Sequence, residues 1–221
     1  MNRDKIDNKT KLFNLILLYI SYFKDFDGIK KLNKLLYFTD FEYYDKYSKS
    51  ITGYNYIKYP MGPVIENYSE IISEMESKNI LKRVKSRILG INKTYTVHKM
   101  KKLVEPDLEL FEKEELQVIR EVWYKNELKS GKELEEESHV DAPWILTDFY
   151  QPISYDFVKY RNQDLDDYTI SEIKAENSYN RAKEYKSEAE KDFYENNDND
   201  HITLYEEYNN LSENFFGSSD K

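Results

Sequence analysis

The sequence predicts a mainly α-helical protein of the α+β class, with one small β-hairpin and a helical, acidic C-terminal extension. Apolar residues recur at helical spacing in most segments, and the pattern changes to shorter, strand-like runs mainly in one region. Six Gly and five Pro in 221 residues are too few for a turn-rich all-β sandwich. Apolar residues make up only 39% of the chain, but 15% of all residues are aromatic, and these large side chains supply enough apolar area for a core.

Two N-terminal helices are predicted from their apolar stripes. The first stripe comprises Leu12, Leu15, Ile16, Tyr19, Ile20 and Phe23, and the second comprises Ile29, Leu32, Leu36 and Tyr43. Asp27 is suited to cap the second helix, because its carboxylate can accept hydrogen bonds from the free backbone N–H groups. Lys30, Lys31 and Lys34 lie off the second stripe, so we expect their ammonium groups to face solvent.

The middle of the chain predicts a loop, a third helix and a hairpin. Residues 48–63 are rich in glycine and proline, which indicates a loop with one short strand at 54–59. Pro63 can open the third helix, since a missing N–H costs nothing in the first turn. The stripe of that helix is Ile65, Tyr68, Ile72 and Met75, and Asn79 is its expected end. Residues 81–88 and 94–98 flank a short turn and predict the hairpin.

Two further helices are predicted before the extension. The apolar residues Leu116, Ile119 and Trp123 mark the fourth helix. Ser130 and Glu133 have the spacing of a capping box, which places the fifth helix at 132–138. Residues 139–152 contain two prolines and are predicted to be a loop.

Net charge divides the chain into two parts. Residues 164–221 contain 16 acidic and 6 basic residues, a net charge of −10, whereas the preceding 163 residues contain 26 and 27 and sum to +1. We therefore predict one domain over 1–163 and an acidic extension over 164–221. Small and aromatic residues at helical spacing predict two helices in the extension: Ala175, Tyr179, Ala182, Ala189 and Phe193, then Leu204, Tyr208, Leu211 and Phe215. Such helices are marginal in water unless they are docked. The extension is either a solubilising segment or a partner-binding one, and its regularly spaced aromatics, which solubility alone does not require, lead us to expect a partner.

Several classes of site are excluded or disfavoured. The chain has no Cys, which excludes disulfides, thiolate metal sites and cysteine nucleophiles. No apolar run reaches the ~18 residues of a membrane helix, so we expect a cytoplasmic protein without a membrane partner. His98, His139 and His201 share no metal-ligand spacing, and we predict neither a metal nor a cofactor. Ser138 and Asp141 flank His139, but catalytic triads are assembled from separate segments, so we predict no catalytic residue.

A run of positive charge lies inside the first part of the chain. The region that we call the basic strip, residues 78–102, carries nine Lys and Arg and no acidic residue. Three interpretations are open: a solvated surface, a contact with a protein or with the acidic extension, or a nucleic-acid site. No helix-turn-helix or RNA-binding signature accompanies the strip, so nucleic acid is the least favoured of these partners.

Three short motifs resemble the Panacea family, also called SocA-like antitoxin domains. Residues 31–40 read KLNKLLYFTD, residues 59–64 read YPMGPV after SITGY at 50–54, and Ser138-His139 is followed by Ala142-Pro143-Trp144. The motifs occur in the family's order, and the resemblance covers residues 9–160. It implies an antitoxin without enzymatic activity. Members of the family neutralise unrelated toxins, among them alarmone-synthetase-like enzymes that modify tRNA, and some act as proteolytic adaptors.

The resemblance implies mostly structural roles for the motif residues Lys34, Leu35, Tyr37, Phe38, Gly62, Pro63, His139, Pro143 and Trp144. We expect Leu35, Leu36 and Tyr37 to pack the second helix, and Gly62 with Pro63 to shape the start of the third. His139 is expected to cap or hydrogen-bond the end of the fifth helix, and Trp144 to anchor a loop on the core.

The sequence leads to the hypothesis of an antitoxin that binds a cognate protein toxin and occludes its active site, in a homo- or hetero-oligomer. The acidic extension is the expected contact, with aromatic anchors at Tyr179, Tyr185 and Phe193, followed by Tyr208 and Phe215. One alternative is a nucleic-acid-binding regulator that uses the basic strip. A hydrolase is a third class, which the residue inventory disfavours.

Overall fold

The computed structural model describes residues 7–24, 28–89 and 94–196, with the side chains of 86–98 and 184–196 outside the description. The chain divides into two units, Met1–Asp166 and Asp167–Lys221. The helices of the first unit are α1 (Asn8–Tyr22), α2 (Ile29–Tyr47), α3 (Tyr68–Ser77), α4 (Lys113–Asn126), α5 (Gly131–His139) and α6 (Ala142–Ile145). Two 3₁₀ helices accompany them, Leu108–Leu110 and Tyr155–Tyr160.

The strands form two antiparallel hairpins. The first pairs β1 (Tyr56–Tyr59) with β2 (Gly62–Ile65), and Pro152 adds an isolated bridge to Ile57 on β1. The second pairs β3 (Leu81–Leu89) with β4 (Thr94–Lys102). The hairpin predicted from the change of pattern after residue 80 is therefore confirmed.

The core is built around α1 and α2. Eight residues of α1 and eleven of α2 are buried, because α2 is enclosed by α1, α4, α5 and β2. An aromatic cluster continues this core, with the rings of Phe41 and Tyr155 stacked at 4.4 Å and Tyr56 edge-on to Phe41 at 5.8 Å. The mainly α-helical class predicted from spacing and composition is confirmed.

Capping residues fix the ends of several helices. The Ser130 hydroxyl accepts from the Glu133 N–H at 3.3 Å and the Glu133 carboxylate accepts from the Ser130 N–H at 2.7 Å, which confirms the predicted capping box. The helix α2 begins after Gly28, and the expected cap residue Asp27 lies outside the described residues. After α3, Asn79 adopts a left-handed φ of 53°, in agreement with its predicted role as a stop.

Two predictions around the prolines are wrong. Pro63 does not open α3 but lies in β2 opposite Lys58, and α3 begins five residues later. A strand accepts proline where its missing N–H is not needed for the ladder, and here the Pro63 carbonyl takes a side-chain partner instead. Residues 139–152 are not all loop, because Pro143 sits in the first turn of α6, where proline is tolerated.

The second unit contains α7 (Asp167–Asn196), in agreement with the predicted helical extension. Most side chains described in α7 are exposed, which matches the thin apolar stripe of its sequence. The second predicted helix, with Tyr208 and Phe215, lies outside the described residues. No helix in the described part of the chain is long and apolar enough to cross a membrane.

Candidate functional site

The three motifs, separate in sequence, meet at one place in the first unit. Lys34 comes from α2, Gly62 from the turn into β2, and Ser138 from the end of α5. A Cβ atom at Gly62 would lie 2.5 Å from Lys34 Nζ and 2.7 Å from Ser138 Oγ. Gly62 also has a φ of +89°, which favours glycine. Glycine therefore lets α2 and α5 close on the hairpin, and we call the assembly of Lys34, Gly62, Ser138, His139 and Trp144 the motif cluster.

Lys34 is buried at the centre of the motif cluster, so the prediction that it faces solvent is wrong. Its side chain is 1% exposed and its Nζ donates to the Pro63 carbonyl oxygen at 3.0 Å. Burial lowers the pKa of the Lys34 ammonium to about 8, although the carboxylate of Glu135 opposes the shift. The helical spacing could not reveal this burial, because the polar partner lies 29 residues away on another element.

Lys31 is also buried, whereas its neighbour Lys30 is exposed as predicted. The Lys31 Nζ donates to the Glu127 carbonyl oxygen at 2.8 Å and lies 5.3 Å from the centre of the Trp123 ring. Lys30 pairs with Glu135 at 2.5 Å. The polar face of α2 is covered by α4 and α5, which is why two of the three lysines lose contact with water.

Lys58 lies against the motif cluster and completes a stack of one cation and two aromatic rings. The His139 and Trp144 rings are stacked at 4.3 Å, and Lys58 Nζ lies 3.8 Å from the centre of the Trp144 ring. Lys58 is buried on β1 and its Nζ donates to the Thr147 carbonyl oxygen at 2.7 Å. Lys58 was not among the residues predicted from the sequence, although its spacing of two from the buried Tyr56 places both on one face of the strand.

The expectation that His139 caps or hydrogen-bonds the end of α5 is wrong. His139 Nε2 and Trp144 Nε1 are buried and have no hydrogen-bond partner among the described residues, so the contact between the two residues is ring stacking. Burial lowers the pKa of the His139 imidazole, the ammonium groups of Lys34 and Lys58 add to this shift, and Glu135 opposes it. This shift favours the neutral imidazole, which limits repulsion between it and the two lysines.

Ser138 and Asp141, the neighbours of His139 in the sequence, hydrogen-bond to other residues and form no relay with it. Ser138 Oγ donates to the Glu135 carbonyl oxygen at 2.8 Å. Asp141 accepts from the Tyr37 hydroxyl at 2.8 Å and from Arg161 Nε at 2.9 Å. In the described part of the chain no group of three or more histidines or carboxylates is placed to hold a metal ion.

A buried carboxylate that the sequence did not single out, Asp40, links the first motif to the second. Asp40, at the end of the first motif, accepts from the backbone N–H groups of Ile51 and Thr52 at 2.8 and 2.9 Å. It also accepts from the Thr52 hydroxyl at 2.5 Å and the Tyr56 hydroxyl at 2.7 Å. Burial raises the pKa of Asp40, and these hydrogen bonds oppose the shift. The sequence signal for this buried carboxylate was an acidic residue, Asp40, within an otherwise mostly apolar helical run.

Outside the motif cluster, four large apolar side chains are exposed side by side. We call Tyr59, Met61, Phe149 and Tyr150 the aromatic rim, and their exposed fractions range from 42% to 64%. Phe149 is edge-on to Trp144 at 5.8 Å and lies 4.9 Å from Lys58 Nζ. The rim is therefore in contact with the motif cluster through Trp144. Next to the rim lies a groove of about 720 Å³ between the first hairpin and the start of α3.

The predicted partner-binding residues are distributed along and beyond α7. Tyr179 is exposed on α7, while Tyr185 and Phe193 lie in the same helix with side chains outside the description. Tyr208 and Phe215 lie outside the described residues altogether. The role of these five residues in partner binding stays a prediction.

Part of the charge of the basic strip is paired with carboxylates. Lys78 pairs with Glu74 at 2.7 Å, and Arg83 pairs with Glu76 at 2.5 Å. Lys102 pairs with Glu105. Lys82 and Lys101 are opposite each other in the hairpin and exposed. The strip is thus less positive in the structure than its sequence suggests.

A model of the family described as antitoxin SocA-like, Panacea domain, matches residues 32–145, about half of the chain. The chain belongs to the SocA-like Panacea family. The matched range contains every member of the motif cluster, so the family resemblance seen in the three motifs is confirmed and an antitoxin role is supported in general terms. No curated protein and no solved structure matches the chain.

Within this Panacea domain, the motif residues that the sequence assigned to the scaffold have buried positions. Leu35, Leu36 and Tyr37 are fully buried in α2, and Phe38 is partly buried against the core. Gly62, Pro63 and Pro143 shape the hairpin and α6. Trp144 is half-buried in α6 rather than on a loop. The motifs of the family thus build a framework whose outer surface carries the aromatic rim.

Proposed function

We propose that this protein is an antitoxin that neutralises a cognate protein toxin by binding it directly and occluding its active site. The observation that carries the proposal is the Panacea domain over residues 32–145. Its motif residues pack, stack and form hydrogen bonds within the domain, as expected of a scaffold that presents surfaces to another protein. Neutralisation by such a scaffold is steric and electrostatic and uses no cofactor.

The extension over 164–221 is the proposed main contact with the toxin. A toxin that acts on tRNA or nucleotides carries a cationic surface for phosphates. A segment with a net charge of −10 can cover such a surface. Exposed ion pairs contribute only about 0–1 kcal/mol each, so the charge acts mainly on association rate and choice of partner. The proposed anchors are aromatic: Tyr179, Tyr185, Phe193, Tyr208 and Phe215.

Rescue of growth tests the function. The probe is the product of the reading frame next to the gene, expressed alone and with the full-length chain. We expect the product alone to stop growth and the full-length chain to restore it. If the full-length chain restores no growth and binds no product of the neighbouring frame, the antitoxin proposal is wrong.

Truncation and a matched pair of tyrosines test the role of the extension. Residues 1–163 should remain folded but lose rescue. Tyr179→Ala should weaken toxin binding, whereas Tyr168→Ala, at an equally exposed tyrosine on the same helix, should not. Full rescue by residues 1–163 would move the toxin contact onto the Panacea domain and leave the antitoxin function intact.

Binding to generic RNA or DNA tests the alternative regulator. Binding through the basic strip would fall steeply with salt concentration, because bound cations displace counterions from the phosphates. The variant Lys82→Glu with Lys101→Glu reverses two exposed, directly opposed charges of the hairpin. Salt-sensitive binding that this variant removes would favour a nucleic-acid-binding regulator.

A further inference from the structure

The aromatic rim exposes four large apolar side chains next to one another. Tyr59 is the last residue of β1 and Met61 lies on the turn that follows it, whereas Phe149 and Tyr150 lie on the segment after α6. The rings of Tyr59 and Tyr150 meet edge-on at 5.7 Å, so the two segments form one continuous patch. Large side chains exposed together on a soluble domain mark interaction sites more often than single exposed residues do.

Tyr150 is held in an unfavourable backbone conformation. Its φ is +66°, in the left-handed region that aromatic residues rarely adopt. Hydrogen bonds on both sides fix this geometry: the Tyr150 N–H donates to the Lys58 carbonyl oxygen at 2.8 Å, and the Lys58 N–H donates to the Gln151 carbonyl oxygen at 3.0 Å. The strain does not bury the ring, which is 64% exposed. Backbone strain that is kept at a ring which stays largely exposed points to a use of the ring in binding.

The groove beside the rim carries negative charge. Its lining includes Glu66 and Glu70 together with the apolar side chains of Ile57, Met61 and Val64, and no lysine or arginine among the described residues. Glu66 is oriented by a hydrogen bond from Asn55 Nδ2 at 3.0 Å. A protein segment that presents a cationic side chain next to apolar ones is complementary to this lining.

We propose that the aromatic rim and its acidic groove form a second toxin contact on the Panacea domain, which takes a basic, apolar segment of the toxin. This inference rests on the proposed antitoxin function and is independent of the extension. Tyrosine is enriched among residues that dominate binding energy, and Tyr59 and Tyr150 supply two such rings. The rigid framework below them lowers the entropy that is lost when the surface binds.

The decisive variant is Tyr150→Gly in the full-length chain. Glycine removes the ring and relieves the left-handed strain, so the midpoint of thermal unfolding should stay the same or rise. The Kd for the toxin from the neighbouring reading frame, measured by calorimetry, should increase tenfold or more. Tyr124→Ala is the matched control, because Tyr124 is equally exposed on α4 and lies outside the groove. It should change the Kd less than twofold.

A second pair of variants separates binding from folding. Met61→Lys places a positive charge where a cationic segment should dock and should weaken binding tenfold or more, while Met61→Leu should keep it. Met61 is 62% exposed, so neither change disturbs the core. Light scattering of the free chain shows whether the rim instead joins two copies of this protein.

Three results would overturn the inference. One is a Kd within twofold of the wild-type value for both Tyr150→Gly and Met61→Lys. The second is a lower unfolding midpoint for Tyr150→Gly together with unchanged binding by Met61→Lys, which would make the rim structural. The third is a dimer of the free chain that these variants dissociate without a change in toxin binding. In each of these cases the full-length chain still rescues growth, whereas failure of rescue by the wild-type chain would refute the antitoxin function itself.

Discussion

The substitution Gly62→Ala probes the junction at which the three motifs meet. The residue at position 62 has a left-handed φ of +89°, a conformation that costs about 1–2 kcal/mol for a residue other than glycine. The added Cβ would also lie 2.5 Å from Lys34 Nζ and 2.7 Å from Ser138 Oγ. Lys34 is buried, so its ammonium has little room to move and loses its hydrogen bond to the Pro63 carbonyl oxygen. An unsatisfied buried donor costs about 1–3 kcal/mol, which brings the expected destabilisation to about 2–5 kcal/mol.

Gly53→Ala is the matched control for this prediction. Gly53 also has a positive φ, of +68°, but the three atoms nearest to its added Cβ all belong to the exposed side chain of Asn8. The control should therefore cost the backbone strain alone, about 1–2 kcal/mol. Urea unfolding followed by tryptophan fluorescence measures both, because Trp123 and Trp144 lie in the first unit. Equal destabilisation by the two substitutions would refute the close approach of α2 and α5 to the hairpin.

Three further predictions concern the framework. The pKa of Lys34 is about 8 in the folded state, against the usual value of 10.5, so between pH 8 and 10 the folded state has lost this proton while the unfolded state still holds it. The free energy of unfolding of the wild-type chain, relative to that of Lys34→Met, should therefore rise by up to about 1.4 kcal/mol per pH unit. Urea unfolding at pH 7.5 and 9.5 checks this, and a constant difference contradicts it. Asp40→Asn should cost about 2–4 kcal/mol in the same assay, because an amide cannot accept all four hydrogen bonds. Trp144→Ala should cost about 2–3 kcal/mol, less than the loss of a fully buried tryptophan. Removal of 164–221 should cost far less. Equal losses of stability for the two changes, measured by circular dichroism, would contradict the division between domain and extension.

The functional framework was predictable in part from the sequence. The motifs around Lys34, Gly62 and His139 can be recognised from the order of their residues alone, and they indicate the Panacea family without knowledge of the fold. What each residue does there was less accessible. The sequence placed Pro63 at the start of a helix, whereas it lies in β2 and its carbonyl receives Lys34. A proline restricts the local backbone in a similar way in both settings, and only the partner strand decides between them.

Buried lysines show the same limit for side chains. Helical spacing assigned Lys31 and Lys34 to the solvent face of α2, but α4 and α5 cover that face. Periodicity records which face of a helix is most apolar and cannot show that a second face is enclosed by elements far along the chain. The aromatic rim was missed for a related reason, because Tyr59 and Tyr150 come together only when the segment after α6 pairs with β1.

The sequence by itself determined the helical class, the β3–β4 hairpin, the capping box at Ser130, the division of charge and membership of the family. These properties depend on local spacing, on turn and cap chemistry and on composition, all of which are set within a few residues. Tertiary structure alone decided that Lys34, Gly62 and Ser138 share one junction, that Asp40 anchors a loop, and that a strained Tyr150 is presented beside an acidic groove. Those properties depend on contacts between elements separated by tens of residues, and local patterns carry no record of such contacts.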